Sequence, residues 1–195
     1  MDRVRYVAGL LVLLTVPLAL GYWFLIHPFI RFWRRLGPAI SYTVLTTLMV
    51  GVLVAGWRLR GELLGSDFGL NRLMFVLGMI CSAFAAVIGH EMKKQFTVAK
   101  LLGVQEIKGD SRPQELVTTG IYSRIRHPRY ASVVLGLIGL SLIANTFGAY
   151  LAVVLFIPGL YAIILLEERE LKQRFGDAYR DYCRGVPRFI PRLRK

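Results

Sequence analysis

The sequence is poor in cysteine, and this scarcity excludes two classes of protein. It contains only Cys81, within an apolar run, and Cys183, near the last residues. Two thiols make neither a four-ligand zinc site nor a disulfide framework. We therefore predict no metal site. The chain also has no internal repeat and no low-complexity tract, so neither a repeat architecture nor a compositionally biased segment is expected.

Acidic residues are also scarce, since 12 Asp and Glu face 25 Lys and Arg and give a formal net charge of +13. A basic excess of this size can indicate a nucleic-acid-binding surface. Here, however, the basic residues lie between and after the apolar runs, where they suit anionic lipid headgroups. We expect membrane lipid as a partner and no nucleic acid, and the composition leaves the oligomeric state open.

Three long stretches contain no charged residue: 6–26, 38–57 and 130–166. A helix needs about 20 such residues to cross the roughly 30 Å hydrocarbon core of a bilayer. The first stretch is longer than the apolar core of about 7–15 residues in a signal peptide. We therefore expect it to be a retained membrane helix in an integral membrane protein.

The 37 residues of the last charge-free stretch are too many for one span of ordinary tilt. Asn145, Thr146 and Gly148 provide turn residues near its middle, so we expect a helical hairpin. Backbone groups in hydrocarbon need internal partners, which favours helices for all of these runs. The sequence thus predicts an all-α polytopic membrane protein with five transmembrane helices, the last two being the hairpin. The predicted spans are 6–26, 38–57, 72–90, 130–145 and 147–166.

The distribution of Lys and Arg predicts the orientation of these spans. With five spans, the N-terminus, the 58–72 loop and the turn at 146 share one side, which carries 5 basic residues. The other loops and the tail carry the remaining 20. Cytoplasmic loops are enriched in basic residues. We therefore expect a cell inner membrane protein with its N-terminus outside and its C-terminus in the cytoplasm.

The tail after the last span is predicted to begin as an amphipathic helix at Glu167. Its apolar residues follow helical spacing and form one stripe: Leu171, Phe175, Ala178 and Tyr182. Two prolines, Pro187 and Pro191, then prevent the helix from continuing. This cytoplasmic helix is expected to lie against the membrane or over the 91–129 loop.

Two clusters of polar residues flank the predicted hairpin. Arg126, His127 and Tyr130 precede it, whereas Glu167 and Glu168 follow it. Because a hairpin returns both ends to one side of the membrane, we expect the two clusters to come within reach of each other. Arginine pairs with carboxylate or phosphate, and a carboxylate accepts from hydroxyl or amino groups. A zwitterionic ligand with a ribose would suit both clusters, and a dinucleotide would fit equally.

Each of these residues also has a simpler interpretation. Basic residues beside a span often only contact lipid headgroups. His127 before Pro128 is also typical of an ordinary helix start. Glu167 and Glu168 could form a solvated helix face.

The order and spacing of these residues match a known family pattern over about residues 110–191. The pattern comprises Gly120-x-Tyr122-x-x-x-Arg126-His127-Pro128-x-Tyr130, the hairpin, Glu167-Glu168, Phe175-Gly176-x-x-Tyr179-x-x-Tyr182 and Pro187-Arg188-Phe189-x-Pro191. It resembles the isoprenylcysteine carboxyl methyltransferase family and its phospholipid methyltransferase relatives. The five-span layout is similar to that of the family's small prokaryotic members. One departure is the run Ile163–Leu166, where the family often has a basic residue before the Glu pair.

The resemblance implies a cytoplasmic pocket for S-adenosylmethionine (the cofactor), closed by the loop before the hairpin and by the tail. The cofactor-binding residues that it implies are Leu116, Val117, Gly120, Tyr122, His127, Pro128, Tyr130 and Glu168. It implies catalytic roles for Arg126, which would orient an acidic substrate group, and for Glu167. Gln95 and Gln105 are further polar candidates. Residues 1–90 would form three N-terminal spans, and 91–195 the catalytic region.

The implied reaction is methyl transfer to a lipophilic or lipid-modified acceptor, most simply the carboxylate of an isoprenylcysteine. An amine acceptor on a phospholipid is the first alternative, and it would need Glu167 or His127 as a base. Sterol reductases resemble this family in their C-terminal half, so an NADPH-dependent membrane reductase is the second alternative. A membrane protein without enzymatic activity is the third.

Overall fold

The computed structural model describes residues 1–26, 28–93 and 116–191. These residues are mostly helical. An isolated antiparallel β-bridge joins the backbones of Asp67 and Thr146. The helices are α1 (Arg3–Ile26), α2 (Ile30–Leu36), α3 (Pro38–Arg58), α4 (Arg60–Leu64), α5 (Arg72–Lys93), a 3₁₀ turn (Gly120–Ser123), α6 (Pro128–Ala144), α7 (Phe147–Phe175) and α8 (Asp177–Gly185).

Four of the helices are long and apolar enough to cross a membrane: α1, α3, α5 and α7. The fourth predicted span, 130–145, corresponds to α6, which is apolar but has only 17 residues. The structure therefore supports an all-helical integral membrane protein. The count of five spans stays a prediction, as do the division at residue 90 and the sides of the membrane.

The predicted hairpin is confirmed as α6 and α7, joined at Asn145 and Thr146. Asn145 has a φ of 51°, in the left-handed region that asparagine tolerates better than most residues. Its side-chain Nδ2 donates to the Gly69 carbonyl at 2.8 Å, while Tyr150 Oη donates to its Oδ1 at 2.9 Å. Thr146 is extended and begins α7. The turn is thus held by its own residues and by the 65–71 loop.

An ion pair between a buried arginine and an exposed aspartate links the N-terminus to this turn. Arg5 is buried, pairs with Asp67 and donates to the Ala144 carbonyl at 2.9 Å. The start of α1, the 65–71 loop and the hairpin turn therefore lie at one end of the bundle, as the predicted topology requires. The other end of the hairpin carries residues 126–127 and 168.

The core lies where α1, α6 and α7 meet. Its buried residues include Val12 on α1, Leu137 on α6 and Phe156 on α7. On its other side α6 packs closely against α5, where Gly78 and Gly139 allow the two backbones to approach. The hairpin that carries the polar clusters is thereby fixed on two sides.

The predicted helix beginning at Glu167 is wrong in its boundaries. Residues 167–175 continue α7, which ends at Gly176, and α8 forms separately from Asp177. Gly176 has a φ of +54° and a ψ of −124°, a conformation that glycine adopts because it has no Cβ, and α7 ends there. The proposed apolar stripe is therefore broken between Phe175 and Ala178. Within α8, Tyr179 is buried whereas Arg180 and Arg184 are exposed.

Candidate active site

Glu168 is the centre of a charged cluster at the open end of the hairpin. It lies in the polar extension of α7, beyond the charge-free span that ends at Leu166, and only 3% of its side chain is exposed. Arg188 binds it through two hydrogen bonds, Nη2 to Oε2 at 2.8 Å and Nε to Oε1 at 3.0 Å. His127 Nε2 and Arg126 Nη2 each lie 3.0 Å from Oε1. We call these four residues the Glu168 cluster.

The electrostatics of the cluster keep Glu168 ionised. Burial alone would raise its pKa, but hydrogen bonds from Arg188 and His127 and the charge of Arg126 outweigh burial and lower the pKa to about 2. The same hydrogen bonds raise the pKa of Arg188 above its usual value. Because an ionised carboxylate only accepts, His127 must carry its proton on Nε2 to bond Glu168.

Backbone pairing fastens the tail to the start of α6. The Arg126 N–H donates to the Pro187 carbonyl at 2.8 Å, and the His127 N–H donates to the Arg188 carbonyl at 3.0 Å. Pro128 occupies the first helical position, where its missing N–H costs nothing and its fixed φ suits a helix. Arg126 and His127 are therefore placed directly before α6 and beside the tail.

Glu167, next to the cluster, has a carboxylate oxygen that the described residues leave without a hydrogen bond. Its Oε2 is buried and lies 3.9 Å from His127 Nδ1. A buried acceptor without a partner is costly, and a ligand donor such as a hydroxyl or an ammonium group would satisfy it. Among the described residues of the site, Glu167 Oε2 is therefore the atom best placed to accept a hydrogen bond from a bound molecule.

Tyr122 lies on the same side as Glu167. Burial, with the Glu167 charge adding to it, raises the pKa of Tyr122 to about 12. Its backbone carbonyl accepts a hydrogen bond from Tyr182 Oη at 2.6 Å, so α8 holds the 3₁₀ turn in place. Burial also raises the pKa of Tyr182 to about 12, and this phenol therefore remains a donor at neutral pH.

The structure brings together both predicted catalytic residues, Arg126 and Glu167, with the predicted cofactor residues His127 and Glu168. This confirms the predicted meeting of the two hairpin ends. Among the other predicted residues, Pro128 is buried and Gly120 is exposed, while Leu116, Val117, Tyr122 and Tyr130 are half-buried. The roles assigned to all of these residues stay predictions. Gln95 and Gln105 lie outside the described residues.

Arg188 was not among the predicted site residues, although it lies in the Pro187-Arg188-Phe189 motif. The basic residue that the family often has before the Glu pair is absent from α7, and Arg188 of the tail pairs with Glu168. Pro187 and Pro191 restrict the backbone on both sides of Arg188, and this pattern could have indicated that its side chain has a fixed position. Tyr161, whose hydroxyl lies 3.4 Å from Arg188 Nη1, was also missed.

An apolar cavity of about 320 Å³ lies beside the cluster, between α6 and α7. Its lining comprises Tyr130, Ala131, Val134, Leu135, Ile157, Leu160, Tyr161, Ile164, Phe189 and Ile190. The ring centroid of Tyr130 lies 5.8 Å from that of His127, so this residue touches both cavity and cluster. Within residues 1–26, 28–93 and 116–191, no group of three His, Cys, Asp or Glu side chains could hold a metal ion.

The fold and the site define a helical integral membrane protein with a buried charged cluster and an apolar cavity at one end of its hairpin. A family model described as phospholipid methyltransferase matches residues 73–178, just over half of the chain. The chain therefore belongs to the phospholipid methyltransferase family, which includes the isoprenylcysteine methyltransferases, as its motifs predicted.

Curated proteins also match the chain over part of their length. The nickel-cobalt-cadmium resistance protein NccN of Alcaligenes xylosoxydans xylosoxydans is 34% identical over 112 residues, which is 57% of this chain and 52% of that protein. Protein-S-isoprenylcysteine O-methyltransferase of Schizosaccharomyces pombe is 29% identical over 118 residues, 59% of this chain and 48% of that protein. Protein-S-isoprenylcysteine O-methyltransferase B of Arabidopsis thaliana is 30% identical over 127 residues, with coverage of 65% and 59%. The chain thus spans about half the length of these relatives. No solved structure matches it.

Proposed function

We propose that this protein is a membrane methyltransferase that uses S-adenosylmethionine and modifies a lipid-like acceptor, most simply the carboxylate of an isoprenylcysteine-type molecule. Its family membership and the methyltransferases among its relatives support the reaction class. The observation that carries the proposal is the unpartnered Glu167 Oε2 beside the Glu168 cluster, next to an apolar cavity.

The residues at the site fit the cofactor. Glu167 Oε2 is a buried acceptor for its ammonium group or a ribose hydroxyl. His127 Nδ1 lies 3.9 Å from this oxygen, and the Glu167 charge acts on Tyr122. The exposed Gly120, with a φ of +59°, begins the 3₁₀ turn that carries Tyr122. When bound, the cofactor would supply an electrophilic methyl group for transfer to the acceptor, and Glu167 and His127 would hold its polar groups.

Within this mechanism the protein aligns the reactants and excludes water. An ionised carboxylate is already a nucleophile, so none of the named side chains has to remove a proton from it. Alignment of two reactants can contribute about 7–11 kcal/mol in good cases. Arg188, His127 and Arg126 fix the charge and position of Glu168, and the tail covers the site through the backbone bonds at residues 126 and 127.

Cofactor binding tests the proposal directly. Purified protein in detergent should bind S-adenosylhomocysteine saturably by calorimetry. Glu167→Gln should weaken that binding by about tenfold or more, because a hydrogen bond to a charged group contributes about 1.5–3 kcal/mol. Glu170→Gln is the matched control, since Glu170 lies on the same helix and is exposed, and it should bind like the wild type.

Other ligands separate the alternatives. Saturable binding of NADPH in place of S-adenosylhomocysteine would overturn the methyltransferase proposal in favour of a reductase, and binding of neither would favour a non-enzymatic protein. With labelled cofactor and a lipid extract, the product distinguishes the acceptors. A base-labile methyl ester indicates a carboxylate, whereas a base-stable methylamine indicates an amine nucleophile with Glu167 or His127 as its base.

A further inference from the structure

The 3₁₀ turn that carries Tyr122 is a short element with little rigidity of its own. The Tyr122 N–H donates to the Thr119 carbonyl at 3.1 Å. The N–H groups of Arg124 and Ile125 both donate to the Ile121 carbonyl at 3.1 Å. Hydrogen bonds in such turns have poorer geometry than those of an α-helix, and 3₁₀ runs beyond about four residues are uncommon. The position of the turn therefore depends on the contacts that other elements make with it.

Two adjacent residues of α8 make such contacts. Tyr182 Oη donates to the Tyr122 carbonyl at 2.6 Å, although the two residues are 60 positions apart. The Cys183 carbonyl accepts a hydrogen bond from Arg126 Nη1 at 3.2 Å. Tyr122 lies in the turn and Arg126 directly before α6. Helix α8 therefore holds the segment between these two residues at both of its ends.

The position of α8 is itself fixed by a buried aromatic residue. Only 1% of Tyr179 is exposed, so its ring anchors α8 in the protein. The ring centroids of Tyr179 and Tyr182 lie 5.9 Å apart, within the range of aromatic contacts. This contact limits the positions that the Tyr182 ring can adopt. An anchored helix thus presents the Tyr182 hydroxyl to the turn.

The turn also faces Glu167. Burial, with the Glu167 charge adding to it, raises the pKa of Tyr122, which shows that the phenol and the carboxylate interact. Glu167 Oε2 is the buried acceptor that we assigned to the polar groups of the cofactor. The hydrogen bonds of Arg188 and His127 to Glu168, by contrast, do not involve α8. A displaced turn would therefore alter the Glu167 side of the site, while these bonds to Glu168 persist.

We propose that Tyr182 is a positioning residue whose hydroxyl, by holding the Tyr122 carbonyl, places the 3₁₀ turn against Glu167 for binding of S-adenosylmethionine. This inference rests on the proposed function and deepens it, because it assigns part of the cofactor affinity to α8. Tyr182 acts through the backbone of Tyr122. Its loss should therefore weaken cofactor binding without removing any group that holds Glu168.

Removal of the hydroxyl with retention of the ring tests this role. The full chain carrying Tyr182→Phe, purified in detergent, should bind S-adenosylhomocysteine about fivefold more weakly than the wild type by calorimetry, as expected for the loss of one neutral hydrogen bond. Tyr150→Phe is the matched control. It removes a tyrosine hydroxyl whose 2.9 Å bond to Asn145 Oδ1 lies at the other end of the hairpin, and it should bind like the wild type.

The same titration separates positioning from a general loss of structure. A variant that is only less stable would contain fewer competent molecules, so the number of binding sites per chain would fall while the dissociation constant stayed the same. Tyr182→Phe should show the opposite, with an unchanged number of sites and a raised dissociation constant. Equal weakening in Tyr150→Phe would contradict the proposal, because the effect would then not be specific to the turn.

Hydrogen–deuterium exchange locates the effect in the structure. Without ligand, the amides of 119–125 should exchange at least about fivefold faster in Tyr182→Phe than in the wild type, and those of 145–150 should not change. Tyr150→Phe should show the reverse pattern. Coupling between two sites is reciprocal, so S-adenosylhomocysteine bound to the wild type should slow exchange in 177–185 as well as in 119–125. This last measurement needs no variant and applies even if Tyr182→Phe does not fold.

The results that would overturn the inference differ from those that would overturn the proposed function. If the wild type binds S-adenosylhomocysteine and Tyr182→Phe binds it equally well, Tyr182 is not a positioning residue and the methyltransferase proposal stands. Ligand binding that leaves exchange in α8 unchanged would likewise exclude the coupling. A wild type that does not bind S-adenosylhomocysteine would remove both proposals.

Discussion

Glu168 joins three segments that are distant in the sequence: the start of α6, the end of α7 and the tail. It does so by accepting hydrogen bonds or ion pairs from Arg126, His127 and Arg188. Hydrogen bonds to ionised groups are roughly twice as strong as neutral ones. A buried charge with well-placed partners can therefore fix the relative positions of these segments, whereas the same charge left without partners would oppose folding.

Replacing Arg188 tests how much of this arrangement depends on the bidentate pair. Arg188→Lys keeps the charge but cannot form two parallel bonds. It should lower the free energy of unfolding by about 1.5–3 kcal/mol, the range for a hydrogen bond to a charged group. Denaturation in detergent measures the change. Arg184→Lys is the control, because Arg184 pairs with Asp181 on the exposed face of α8, where such pairs contribute about 0–1 kcal/mol. Equal losses for both variants would contradict the role of Arg188.

The lowered pKa of Glu168 predicts how stability depends on pH. A carboxyl group whose pKa is about 2 in the folded protein, against an ordinary value of 4.5, contributes stability that is fully present above pH 4.5. That contribution is lost as the pH falls from 4.5 through 2. The stability difference between wild type and Glu168→Gln should therefore be constant from pH 7 to about 5 and shrink below that. A difference that grows on acidification would contradict the ionised state of Glu168.

At the scale of helices, the close crossing of α5 and α6 fixes one side of the hairpin. A Cβ added at Gly139 would meet the Ser82 side chain, the Gly78 carbonyl at 2.7 Å and the Ser82 backbone nitrogen at 2.9 Å. Backbone atoms cannot move aside as a flexible side chain can, so the helices themselves would have to separate.

Gly139→Val should therefore destabilise the protein by about 1–3 kcal/mol or more, the usual cost of overpacking. Thermal unfolding in detergent measures this change. Gly136→Ala, on the same helix, is the control, because its added Cβ would meet the Ala85 Cβ at an ordinary contact distance of 3.7 Å. A Gly139→Val protein as stable as this control would show that α5 and α6 do not pack as described.

Local sequence patterns predicted some of these elements and missed others. Turn residues located the hairpin because Asn145 itself adopts the left-handed conformation that the turn needs. The periodicity of the tail failed because apolar spacing continues across Gly176, where the backbone does not. The pairing of Arg188 with Glu168 spans 20 residues and depends on backbone contacts between the tail and α6. Helical or strand periodicity cannot predict such a long-range contact. The motif around Arg188 could therefore be recognised in the sequence, but its pairing with Glu168 could not be predicted.

For the molecule as a whole, the two ends of the bundle differ in chemistry. One end holds the ion pair of Arg5 and Asp67 beside the hairpin turn, and the other holds the Glu168 cluster. The excess of basic residues in the loops on the second side predicts that this side faces the cytoplasm.

Cysteine labelling in intact cells tests this orientation. Cys81 and Cys183 are first replaced by alanine, and single cysteines are then introduced as Ser66→Cys or Ala178→Cys, both at exposed positions. A membrane-impermeant maleimide should label Ser66→Cys in intact spheroplasts and Ala178→Cys only after lysis. The reverse pattern would overturn the predicted orientation, and lysed membranes, in which both must react, provide the control.

The contact between Arg188 and Glu168 also sets an order of events during biosynthesis. Glu168 leaves the ribosome 20 residues before Arg188, so α7 is made while its carboxylate still lacks its strongest partner. The site can close only after residues 187 and 188 have emerged and paired with the backbone at 126 and 127. A chain shortened before residue 187 would therefore leave Glu168 without Arg188, and Arg126 and His127 without their backbone partners in the tail.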